Sequence, residues 1–202
     1  MPRSPERNQQ LRAESVRRLL AAARATFVRL GYDGATIRDI AQEAGVAQGL
    51  LYNYFPSKDD LLRAVFREGA RDVAEAFGAG APAGSAAERL ERVIRRSLEI
   101  VRERRDFWLL SYMVRHQPRT AEVLGEELSA WAAAVRVQLE TLLEEIGHRD
   151  APALSRVLFG AIDGVAQHYA LDPEAYPLDA TADSLVRHFC RPPSAPARRQ
   201  SS

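Results

Sequence analysis

Gln48, Leu50, Asn53 and Tyr54 are the side chains best placed to meet a partner. They lie in the short stretch Gln48–Tyr54, where helical spacing turns Leu51 and, four residues on, Phe55 inward and leaves the others for outer sides. Amides, a phenol and a branched aliphatic suit recognition of hydrogen-bonding edges and apolar groups. A helix this short does not hold alone in water, so its supports matter. Ahead of it, Ile37, Ile40, Ala41 and Ala44 give one apolar face, with Thr36 and Asp39 as a weak capping box. Gly45 stands where a helix end wants a left-handed residue, and Val46 fills the core under the turn. Two short helices joined by a tight turn, with a third opening at Ser57, make the layout of a helix-turn-helix, whose second helix enters the DNA major groove.

No catalytic set competes with this reading. His116, His148, His168 and His188 fall on different helices or loops, and Asp163 and His168, five apart, share a helix face poorly. Neither metal-ligand spacing nor a phosphate-binding glycine loop occurs. The expectation is a protein that is not an enzyme and has no cofactor, no metal and no catalytic residues.

The stretch Thr36–Leu62 reads T-I-R-D-I-A-x-x-A-G-V-x-x-G-x-L-Y-x-Y-F-P-S-K-x-D-L-L. It resembles the TetR-type bacterial transcriptional repressors. The resemblance implies an all-α, two-domain homodimer. An N-terminal three-helix helix-turn-helix domain would read DNA, and a C-terminal helical domain would bind an effector and dimerise, with about nine helices in all. It places Gln48 and Arg38 at base-reading positions, where glutamine suits adenine and arginine suits guanine. Thr36, Tyr52 and Lys58 match phosphate-contact positions, while Gly49, Leu50, Asn53 and Tyr54 fall on the DNA-facing helix. Two residues depart from the family pattern. Leu50 replaces a common Thr or Ser, so it touches a thymine methyl or packs inward. Ala47 replaces a helix cap, a loss of typically ~1 kcal/mol. Lys58 is the only lysine in the chain.

Charge is distributed as this reading requires. The formal net charge is +1, but residues 1–58 hold nine Lys/Arg and five Asp/Glu, a net of +4, which leaves the remainder at −3. A basic end on a neutral to acidic body suits a DNA-facing module. One cysteine, Cys190, excludes an internal disulfide framework and suits the cytosol. No apolar run is long enough for a transmembrane helix, and the N-terminus lacks a signal-peptide core, so a cytoplasmic protein with no membrane partner is expected.

The remaining elements follow from spacing. Residues 1–10 are a polar, disordered arm in which Arg3 and Arg7 are candidate phosphate contacts. Residues 11–56 form the DNA-binding domain, 57–190 the effector-binding and dimerisation domain, and 191–202 a disordered tail. The first helix spans about 11–30, with Val16, Leu19, Leu20, Ala23, Phe27 and Leu30 on one face and Gly31 as its stop. A fourth helix runs to about Phe77, its apolar side including Val73 and Phe77, before the break at 78–84. Helices follow at 85–101, about 106–116, from Thr120 to Ile146, from about Asp150 to before Pro173, and at about 179–190.

In the C-terminal body the family resemblance implies an effector pocket, lined by Trp108, Tyr112, Met113, Trp131 and Phe159 with Asp163 as a polar partner. Plain core is the competing reading for each aromatic. It also implies a dimer interface from the last two helices, where Val157, Ala161, Val165, Leu185 and Phe189 would be exposed in a monomer. The partners implied are a double-stranded DNA operator, a second copy of the chain, and a small-molecule effector of hydrophobic or amphipathic character. Two alternatives stand beside this: a DNA binder with an architectural or protein-regulated role and no small ligand, and a helical enzyme or carrier whose basic end is incidental.

Overall fold

The structure, a computed structural model, describes residues 5–78 and 83–193. Among the described residues there are nine helices and no strand: α1 Pro5–Gly34, α2 Ile37–Glu43, α3 Gln48–Tyr54, α4 Lys58–Gly78, α5 Ala86–Glu103, α6 Arg105–Arg115, α7 Pro118–Ile146, α8 Ala151–Leu171 and α9 Leu178–Phe189. Arg3, most of the break at 78–84 and most of the tail lie outside the described residues, as do the side chains of Val73 and Phe77. The chain forms two compact units. The first comprises the chain up to Asp72 with Arg104–Leu128, and the second comprises Val73–Glu103 with the chain from Ser129 onward.

In the first unit α1 begins at Pro5, earlier than the expected start near Leu11. Proline is tolerated in a first turn, and the following Glu, Arg and Gln are good helix formers. Leu19, Leu20, Ala23 and Phe27 are buried as their spacing requires. Leu30, expected on the same face, is 40% exposed. The cause is Gly31, whose φ of 70° interrupts the helix just after Leu30. Tyr32 then packs inward, its ring 5.5 Å from that of Phe27.

The sixth helix belongs to this unit and packs on α1. Arg24 of α1, itself largely buried, pairs with Asp106 at the start of α6 and with Glu68 of α4 at 3.1 Å. On α4, Gly69 lies under the buried Phe107 ring, so closely that a Cβ there would stand 2.2 Å from it. Helix α7 opens at Pro118, two residues before the expected Thr120. Thr120 is buried instead, its hydroxyl on the carbonyls of Val114 and Gln117.

In the second unit Ser85 and Glu88 form the expected capping box of α5, with the Ser85 N–H donating to the Glu88 carboxylate at 2.7 Å and the Glu88 N–H to the Ser85 hydroxyl at 3.3 Å. Leu90, Val93, Ile94, Leu98 and Val101 face inward, and α5 packs on α8 and α9. Its outer side carries ion pairs, Arg95 to Glu91 and Asp183 and Arg102 to Asp179, of a kind worth ~0–1 kcal/mol each. Cys190 is half-buried, and burial pushes its thiol up to about 11, which keeps it protonated and unreactive.

Candidate nucleic-acid interface

The approach to α3 is built by local hydrogen bonds. The Asp39 N–H donates to the Thr36 hydroxyl at 3.1 Å and the Thr36 N–H returns a bond to the Asp39 carboxylate at 3.0 Å. This is a complete capping box with Asp in place of Glu. The side-chain and backbone bonds from Thr36 hold the Asp39 carboxyl below its usual range. Helix α2 ends at Glu43, with Ala44 as its C-cap. Gly45 takes φ 64°, its N–H reaches the Gln42 carbonyl, and the Val46 N–H reaches Ala41. That bond pair is the Schellman closure, which needs a left-handed residue at this glycine.

Helix α3 starts without a side-chain cap at Ala47 and is anchored by Leu51, fully buried, and Phe55, 8% exposed. Gln48, Gly49, Leu50, Tyr52 and Asn53 are exposed. At 3.6 residues per turn they cover one continuous arc of about 200°. Of the two readings for Leu50 the structure takes the outward one, with 37% of the residue exposed. Gly49 has ordinary helical geometry, and a Cβ on it would meet nothing within 4 Å. Tyr54 is half-buried, its ring tilted on Phe55 and beneath the Arg12 guanidinium. Arg38 is exposed on α2.

Lys58 has work inside the protein. Its ammonium donates to the carbonyls of Tyr32 at 2.8 Å and Ala35 at 2.9 Å, and it lies 4.3 Å from the centre of the Tyr32 ring. Burial lowers its pKa. Next to it the Tyr32 hydroxyl donates to Asp59; burial first, then that carboxylate, raises the Tyr32 phenol well above its usual value. The start of α4 is thereby tied to the end of α1 and to the turn before α2. The sequence held a hint of this in the lone lysine, but its carbonyl partners are distant in the chain. Thr36 is likewise committed to its cap.

The six expected effector residues divide between the units. In the first, Trp108 is buried, and its indole N–H finds no acceptor among the described residues. Tyr112 and Met113 are half-buried, and the Tyr112 ring lies 4.3 Å from His116. In the second, Trp131 meets Phe159 edge-on at 5.8 Å, and Asp163 is half-buried one turn along α8 from Phe159. A cleft of about 380 Å³ beside the α8–α9 loop is lined instead by residues such as Arg102, Tyr169, Tyr176 and Asp179. Neither tyrosine is among the expected effector residues, since Tyr169 follows the apolar spacing of α8 and Tyr176 sits in a loop.

Of the expected dimer residues, Val157 is 58% exposed, and Ala161 and Phe189 are half-buried. Val165 and Leu185 are buried within the chain, because α8 and α9 pack on each other and on α5. Gly160 and Gly164 have open space where a Cβ would stand. Among the described residues no group of His, Cys, Asp or Glu is arranged to hold a metal ion.

This geometry coincides with a known family. The family model described as "Bacterial regulatory proteins, tetR family" matches residues 19–65, from the core of α1 into α4. The HTH-type transcriptional regulator BetI of Escherichia coli (strain SMS-3-5 / SECEC) is 30% identical over 194 residues, covering 87% of this chain and 93% of that protein. The chain belongs to the tetR family. It is a helix-turn-helix, DNA-binding transcriptional regulator. Solved structures repeat the fold across most of the chain. A TetR-like transcriptional regulator from Rhodococcus sp. RHA1 superposes with a TM-score of 0.74 at 27% identity, over 92% of this chain and 94% of that one. FadR from Bacillus subtilis, solved in complex with stearoyl-CoA, superposes with a TM-score of 0.69 at 22% identity, over 88% and 98%. No helix among the described residues is long and apolar enough to cross a membrane.

Proposed function

We propose that this tetR-family regulator is a cytoplasmic, non-enzymatic repressor that binds a palindromic operator as a homodimer and leaves it when a small molecule binds the C-terminal body. The observation that carries the reading is the outer arc of α3. Gln48, Gly49, Leu50, Tyr52 and Asn53 stand exposed on a helix whose other side is fixed by Leu51 and Phe55. Gln48 and Arg38 read base edges. Leu50, apolar and outward, meets a thymine methyl. Tyr52, Asn53 and Tyr54 meet bases or backbone, and Thr36 and Lys58 order the motif beside the phosphates.

The effector is hydrophobic or amphipathic. The half-buried Tyr112 and Met113 of the first unit offer apolar surface. The buried Trp108 N–H supports a polar atom on the ligand, since an unmade buried hydrogen bond costs about 1–3 kcal/mol. The second copy docks on α8, where Val157 is exposed and Gly160 and Gly164 permit close approach. The ligand weakens DNA binding by favouring a conformation that presents the two recognition helices at the wrong spacing.

Selection from a pool of random duplexes tests this reading. It recovers an inverted repeat whose half-sites are centred one helical turn, ~34 Å, or a multiple of it, apart. A pool that shows no enrichment after repeated selection contradicts it.

A further inference from the structure

Arg12 lies near the start of α1, outside the stretch that matches the family model. Its guanidinium carbon stands 5.7 Å from the centre of the Tyr54 ring, at the last residue of α3. No acid sits at helical spacing from it, because positions 8, 9, 15 and 16 are Asn, Gln, Ser and Val. Four other arginines of this unit are neutralised: Arg24 by Asp106 and Glu68, Arg29 by Glu43, Arg63 and Arg67 by Glu127. Arg12 is exposed and makes no ion pair among the described residues. Its charge is therefore held against the recognition helix and left uncompensated.

Stacking on a ring occupies the face of a guanidinium and leaves its in-plane N–H donors available, a geometry that matches phosphate oxygens. The position suits that ligand. Seven helical residues rise ~10 Å, close to the ~12 Å width of the major groove. With the first residues of α3 on base edges, its Tyr54 end reaches the rim of the groove, where the phosphates run.

We propose that Arg12, oriented by the Tyr54 ring, is a DNA phosphate contact that extends the footprint from the recognition helix onto α1. The proposal rests on α3 being the DNA-facing helix. Such a contact positions the protein and carries no base preference.

The test is binding of the full chain to a random-sequence duplex and to the selected operator across a salt series, with melting temperature as a folding check. Arg12→Gln makes the slope of log affinity against log salt shallower by about 0.9 per protomer on both duplexes, with base preference unchanged. Arg12→Lys, which keeps one charge, restores the slope. Arg17→Gln removes the same charge about 140° around α1 and leaves the slope as in the wild type. An unchanged slope in Arg12→Gln overturns the contact, as does an equal loss in Arg17→Gln or no restoration by Arg12→Lys. If the wild type itself shows no preference for the operator, the underlying reading of α3 has failed; if it does and Arg12→Gln matches it, only the Arg12 contact has.

Discussion

At the residue scale, Lys58 shows how one side chain can tie three helices together. Its ammonium closes two carbonyls, of Tyr32 and Ala35, at the junction of α1, α2 and α4. Hydrogen bonds from charged groups are worth about 1.5–3 kcal/mol. Lys58→Met therefore lowers unfolding free energy by about that amount in urea denaturation, and DNA affinity falls along with it. An unchanged urea midpoint with a steep loss of DNA affinity would return the ammonium to a phosphate. The neighbouring Tyr32 makes a pH prediction. Its phenol is raised above its ordinary value of 10.0 by burial and by Asp59. A raised folded-state pKa gives stability that is complete below the unfolded value and is lost as pH climbs through the folded one. Unfolding measured on either side of pH 10 shows wild-type stability dropping on the alkaline side, whereas Tyr32→Phe is flatter there. A variant that loses stability as steeply as the wild type would show that Tyr32 is not the group responsible. The outward set on α3 was legible in the sequence because Leu51 and Phe55 fix which side is buried. The commitment of Lys58 was not, because its carbonyl partners belong to another helix and a turn, and spacing does not encode them.

At the scale of the element, two substitutions separate local from tertiary causes. Ala47→Ser supplies the missing cap of α3 and stabilises the protein by about 1 kcal/mol. Gly69→Ala acts in the opposite direction. The added methyl meets the buried Phe107 ring, and overpacking of this kind costs about 1–3 kcal/mol. Thermal unfolding of both checks the signs, and a stabilised Gly69→Ala would mean that the ring moves freely. The same division explains what the sequence reading captured of the fold. Helices with their own caps and stops, such as α2 with Thr36–Asp39 and Gly45 or α5 with Ser85–Glu88, were readable because those signals are local. The start of α1 at Pro5 was missed because its first turns carry no apolar stripe. The seating of α6 on α1 was not readable either. Phe107, Trp108, Leu110 and Val114 make the same apolar face whichever helix they pack against, and the deciding contacts, Arg24 with Asp106 and Gly69 with Phe107, are long-range.

At the scale of the whole molecule, the account requires two copies. Val157 stays exposed and Gly160 and Gly164 stay uncovered on α8, whereas Val165 and Leu185 are used inside the chain. Light scattering therefore gives a dimer mass for the wild type, and Val157→Asp shifts it toward the monomer without lowering helix content. A dimer unaffected by Val157→Asp would place the interface elsewhere. On the proposed reading, dimerisation in turn sets how DNA is read, each protomer presenting one recognition helix to one half-site. The most direct measurement is the affinity of wild type and Gln48→Ala for the selected operator and a scrambled duplex across a salt series. The account predicts that the wild type prefers the operator. It predicts that Gln48→Ala loses about 1–3 kcal/mol of discrimination at one base pair per half-site, with the salt slope unchanged. Equal affinity of the wild type for both duplexes, or equal weakening of both by Gln48→Ala, would contradict it.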